Sequence, residues 1–80
     1  TIRLRLAFAL LRAGDAAGAE QAAHEVLTRV PDSPDGLLVL GLAQRRTRPA
    51  EAPHALRRFL AIAPEHPAAA EISRLLATDR

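Results

Sequence analysis

Two stretches of the chain carry the same punctuation, Ala23-His24-Glu25-Val26-Leu27-Thr28-Arg29-Val30-Pro31-Asp32-Ser33-Pro34 and Leu56-Arg57-Arg58-Phe59-Leu60-Ala61-Ile62-Ala63-Pro64-Glu65-His66-Pro67. Pro31 and Pro64 are 33 residues apart, and so are Pro34 and Pro67. Each stretch reads as the end of one helix, a proline that stops it, and a second proline that opens the next. Proline suits both places because it cannot continue a helix, yet fits a first turn whose N–H would have no partner. A period of this length in a short chain signals stacked helix pairs.

Working outward, five helices are expected, over about 2–13, 15–29, 34–46, 51–63 and 67–78. Gly14-Asp15 supplies the first turn, the glycine ending one helix and the aspartate capping the next; Ser33 caps the third helix ahead of Pro34. Thr47-Arg48-Pro49 makes the third turn. Pro53 is tolerated only within a first turn, which delays the start of helix four to near Glu51. Turns this short make consecutive helices antiparallel neighbours.

Composition agrees with an all-α chain. The 80 residues are 49% hydrophobic and 25% charged, with alanine and leucine dominant and two aromatics, Phe8 and Phe59. That balance is globular and favours helix over strand. So short a chain holds one domain with a modest core. All 11 basic residues are arginine, but the net charge is only +2 and the arginines are scattered, which does not point to nucleic acid or to an anionic membrane. Cysteine is absent, so disulfides and thiolate metal sites are excluded. No apolar run reaches the roughly 18 residues of a membrane helix. The chain begins at Thr1 and reads as a piece of a longer protein.

The residues around the prolines resemble the tetratricopeptide repeat family, whose pattern runs aromatic-x2-Leu-Gly-x2-Tyr, then Ala-x3-Phe-x2-Ala, then Pro. The first repeat offers Arg3, Leu6, Ala7, Leu10, Ala19, Ala23, Val26 and Pro31; the second offers Leu37, Leu40, Gly41, Gln44, Ala52, Leu56, Phe59 and Pro64. Ala7 and Gly41, with Ala19 and Ala52 opposite them, are small where two helices must approach closely. Arg3 and Gln44 depart from the pattern by replacing aromatics, and the second repeat is one residue shorter at its turn. The resemblance implies a right-handed superhelical stack of antiparallel helix-turn-helix repeats: repeat one over 1–33, repeat two over 34–66, and a capping helix over 67–80.

The resemblance also implies an inner, concave surface lined by helices one, three and five, where peptides or partner helices bind. One face of helix one carries Thr1, Arg5, Phe8 and Arg12. The equivalent faces are Asp35, Val39, Leu42 and Arg46 on helix three, and Ala68, Ile72, Leu75 and Asp79 on helix five. Phe8, Leu42 and Leu75 form an apolar column beside Arg12 and Arg46. The expected contact residues are therefore Arg5, Phe8, Arg12, Val39, Leu42, Arg46 and Leu75, and the expected ligand is a peptide with apolar anchors and acidic groups. The family's carboxylate-clamp peptide site uses lysine and asparagine, and this chain has neither.

Helix one is apolar nearly all round, so it could equally be covered by another domain or by a second copy of the chain. Arg45, Arg46, Arg48, Arg57 and Arg58 could form an anion site, or simply favour helix dipoles and solvate a surface. His24, His54 and His66 lack metal-ligand spacing, and Ser33 and Ser73 lack a nucleophile elbow. No helix has the polar base-reading face of a DNA-binding helix-turn-helix. The expectation is a non-catalytic protein-interaction module without cofactor or metal; the alternatives are a regulatory or scaffolding appendage of an enzyme encoded elsewhere in the full chain, or a homo-oligomerisation module.

Overall fold

Five helices follow one another in a computed structural model that describes residues 2–78: α1 (Ile2–Arg12), α2 (Ala16–Arg29), α3 (Pro34–Thr47), α4 (Ala52–Ile62) and α5 (Ala69–Thr78). No strand occurs among the described residues. Their ends are built by the residues that the sequence marks. Gly14 takes φ +88, the left-handed conformation, so that its N–H reaches Leu11 O at 3.1 Å and the Asp15 N–H reaches Leu10 O at 2.9 Å. These two bonds satisfy the last carbonyls of α1 and turn the chain into α2. The Asp15 carboxylate then accepts from Gly18 N at 2.9 Å, and the Ser33 hydroxyl accepts from Gly36 N at 3.1 Å, capping α2 and α3.

The 33-residue period is visible in the backbone hydrogen bonds of the two proline turns. Val30 N donates to Val26 O and Ser33 N to Val30 O; one period later Ala63 N donates to Phe59 O and His66 N to Ala63 O. The turns then diverge. Pro34 opens α3 as expected, but Pro67 does not open α5, which starts two residues later at Ala69. His66 stands where Ser33 stood, but its Nδ1 accepts from Ala68 N, two residues on, at 3.0 Å, where the Ser33 hydroxyl accepts from Gly36 N, three residues on. Pro53 lies in the first turn of α4, which begins at Ala52 with no side-chain cap from Glu51.

Each of the first four helices packs on the next, α1 also approaches α3, and α5 approaches α4. Two clusters fill the interior. The first joins α1, α2 and α3 with an edge of α4 and is mostly alanine: Ala7, Ala19, Ala22, Ala23, Ala43 and Ala55 around Val39 and Leu40. The second joins α3, α4 and α5 through Leu37, Leu38, Leu56, Phe59, Ala69 and Ile72. Small side chains bring the early helices close; larger ones fill the later half. α3 is shared by both clusters and is buried without a break from Gly36 to Gly41.

Gly41 is the tightest of these crossings. A Cβ there would overlap the Cγ and Cδ2 of Leu56 and stand 3.4 Å from the Leu56 backbone nitrogen. Leu56 is fully buried, so its side chain cannot move aside. Replacing a mid-helix glycine by alanine ordinarily stabilises by about 0.5–1 kcal/mol. At this position the sign reverses: Gly41→Ala lowers stability by about 1–3 kcal/mol and Gly41→Leu by more, by forcing α4 off α3. Thermal melting followed by circular dichroism checks this, and a melting temperature raised by Gly41→Ala contradicts the close crossing.

Candidate functional site

The residues expected to make contact do not share one fate. Thr1 and Asp79, at the ends of their faces, lie outside the described residues. Val39 is 0% exposed, a member of the first cluster, and therefore touches no partner. Ile72 is likewise buried, and Asp35, in the first turn of α3, is partly buried. The reason lies in the stacking: α3 has neighbours on both sides, so of the two apolar positions on its expected face Val39 is enclosed while Leu42 keeps part of its side chain in solvent.

What remains is the column. Phe8, Leu42 and Leu75 are each half-buried, and all three pack against the second cluster while keeping part of their side chains in solvent. Phe8 also packs against the first cluster, so it bridges the two. Arg5, Arg12 and Arg46 are exposed and have no ion-pair partner among the described residues. Three half-exposed apolar side chains recurring at intervals of 34 and 33 residues, with exposed arginines on two of the same helices, can take apolar anchors and hold carboxylates.

The wider arginine cluster is not a single anion site. Arg48 Nε lies 3.3 Å from Glu20 Oε2, with its NH1 3.8 Å from Glu51, and Arg58 donates to Asp32 at 2.9 Å, tying α4 to the turn before α3. Those charges are already answered. Among the described residues no group of three His, Asp or Glu could hold a metal ion, and no helix is long and apolar enough to cross a membrane.

Two polar arrangements were not anticipated from the sequence. Glu20, buried on α2, accepts from Thr47 Oγ1 at 2.9 Å and from Gln44 Nε2 at 3.5 Å, and pairs with Arg48, so that one carboxylate holds the last turn of α3. Gln44, 5% exposed, is thus a polar partner where the family pattern would have an aromatic. The available signal was a glutamate between Ala19 and Ala23, on the apolar face of α2. His66 is the second. Because its Nδ1 accepts from Ala68 N, its proton sits on Nε2, which donates to Asp35 Oδ1 at 2.8 Å; its ring meets Phe59 edge-on, with centroids 5.0 Å apart. One imidazole therefore ties the starts of α3 and α5 together over the core. No buried side-chain polar atom among the described residues is left without a partner.

No protein-family model matches the chain, and no curated protein and no solved structure matches it. The functional reading rests on the residues themselves.

The Glu20 arrangement gives a direct test. Glu20→Ala leaves the buried Gln44 amide without its acceptor and costs about 1–3 kcal/mol in urea unfolding, whereas Glu20→Gln keeps an acceptor for Thr47 and costs less. Arg48→Ala, at a largely exposed side chain, costs under about 1 kcal/mol. Equal losses for Glu20→Ala and Arg48→Ala would mean that the ion pair, not the buried hydrogen bonds, holds the helix end.

Proposed function

We propose that the chain is a helical-repeat protein-interaction module, and within that class a tetratricopeptide-like one, which binds a peptide or partner helix on the face shared by α1, α3 and α5. The single observation that carries this reading is the column Phe8, Leu42 and Leu75. Each is half-buried against the same cluster at a repeat-equivalent position, with Arg5, Arg12 and Arg46 exposed on the same helices.

The chemistry follows from the side chains. Apolar anchors of a ligand gain affinity by desolvating against Phe8, Leu42 and Leu75. Ligand carboxylates meet guanidinium groups, which grip them through two parallel hydrogen bonds and favour association through charge. Val39, enclosed in the first cluster, makes no contact. The 33-residue recurrence of the proline turns, including their backbone hydrogen bonds, supports the repeat reading, and a right-handed stack is the arrangement that such repeats adopt. Binding requires no catalytic group, metal or cofactor in this module.

A displayed library of random peptides, selected against the chain beside the double variant Leu42→Glu/Arg46→Glu, tests the proposal. Enrichment of apolar, acidic peptides by the parent alone is the expected outcome. No enrichment, or the same peptides on both proteins, would mean that the ligand does not sit on this face.

A further inference from the structure

α1 and α3 hold the same place in their helix pairs, Ala7 facing α2 as Gly41 faces α4. Aligning the helices on these two residues sets Phe8 beside Leu42 and Leu11 beside Arg45, and every one of those four residues is half-buried. The outer sides of the two helices differ. On α3, Gly36, Leu40 and Ala43 are buried: Val26 and Leu27 of α2 crowd Gly36, and Leu40 and Ala43 join the cluster with Ala19, Ala22 and Ala23. Their counterparts on α1 are Ile2, Leu6 and Ala9, which follow one another at steps of four and three and so share one face. All three are exposed, Ile2 at 85% and Leu6 at 52%. This is the stripe that α2 covers on α3, and no described residue covers it on α1. A groove of about 260 Å³ lined by Ile2, Arg3, Val26, Arg29 and Val30 continues it towards the end of α2.

Charge says what the missing cover is. At 3.6 residues per turn, Arg3 falls on one flank of the stripe and Arg5 and Arg12 on the other. The first two replace Leu37 and Val39, both buried on α3. α1 contains no acidic residue, and Arg29 adds a fourth cation at the groove. We propose that this face docks an acidic amphipathic helix of a separate polypeptide, with leucine or alanine along its seam and aspartate or glutamate on both flanks. A second copy fits poorly. Two α1 helices across a two-fold axis would set arginine against arginine, and the apolar side of α2, the most acidic helix, is already buried against α1 and α3. Its apolar stripe lies on a different side of α1 from Phe8, and Arg5 and Arg12 border both surfaces.

The test is a displayed library of 18-residue helices with a fixed leucine and alanine seam and randomised flanks. It is selected against the parent, Leu6→Asp, the double variant Leu42→Glu/Arg46→Glu and the charge-reversed pair Arg3→Glu/Arg5→Glu. The parent enriches acid-flanked helices, and the best of them binds Leu6→Asp at least tenfold more weakly while binding Leu42→Glu/Arg46→Glu unchanged. The charge-reversed protein enriches basic flanks instead. Since Arg3 and Arg5 are exposed, that arm stays informative even if Leu6→Asp melts early. The proposal is overturned by no enrichment, by flanks of random charge, or by a loss confined to Leu42→Glu/Arg46→Glu. It is also overturned if the parent forms a dimer that Leu6→Asp converts to monomer, since the stripe would then belong to a second copy.

Discussion

The crossing of α3 and α4 at Gly41 sets the spacing on which the later half of the molecule depends. With no side chain at that point, the buried Leu56 seats directly on the α3 backbone, and Phe59, one turn further along α4, reaches the core beside Leu37, Leu38 and Ile72. Close packing of this kind gains dispersion contacts that a wider helix separation would forfeit. The earlier half solves the same problem differently. Ala7 meets Ala19, Ala22 and Ala23, so that small side chains on both partners, not a glycine on one, bring α1, α2 and α3 together.

α3 lies between these two packing regimes, and its polar residues secure both of its ends. At its start, Ser33 caps it and Asp35 accepts a hydrogen bond from His66 Nε2; at its end, Glu20 of α2 accepts from Gln44 and Thr47. A central helix held at both termini by its neighbours is fixed in rotation, which in turn fixes the direction in which Leu42 and Arg46 project. The proposed binding face thus owes its register to hydrogen bonds made on other sides of the helix.

Much of the architecture was readable because proline, glycine and capping residues act through local stereochemistry. Pro31, Pro49 and Pro64 each follow a helix end, Gly14 adopts a positive φ, and Asp15 and Ser33 cap, all within a few residues of where the sequence places them. Misreadings arose where a neighbour decides. Val39 seemed a surface residue because a 3.6-residue period describes one helix and carries no information on how many others surround it. Pro67 reads as a helix start by its repeat with Pro34, but the residue before it is His66, not Ser33, and the two turns bond differently. Glu20 is marked only by its place between alanines on the apolar face of α2, and its partners Gln44 and Thr47 lie 24 and 27 residues away. Of the expected contact residues, six of seven stand at least partly in solvent, and the exception is the one enclosed from both sides.

The sequence-adjacent order of packing has a kinetic side. Apart from α1 with α3, every close helix approach joins consecutive elements, so native contacts form with little loop closure and folding can begin at any pair and spread. α5 ends that series. It approaches α4 alone, and only Ala69 and Ile72 of its residues are fully enclosed, while α3 is shared by both clusters. Opening α5 uncovers the α3 and α4 side of the second cluster but leaves the first cluster intact, so the last helix can open without the rest of the stack. Because Leu75 rides on α5, the apolar column would lengthen and shorten with that opening, giving a surface whose reach is set by the fraying of one terminal helix.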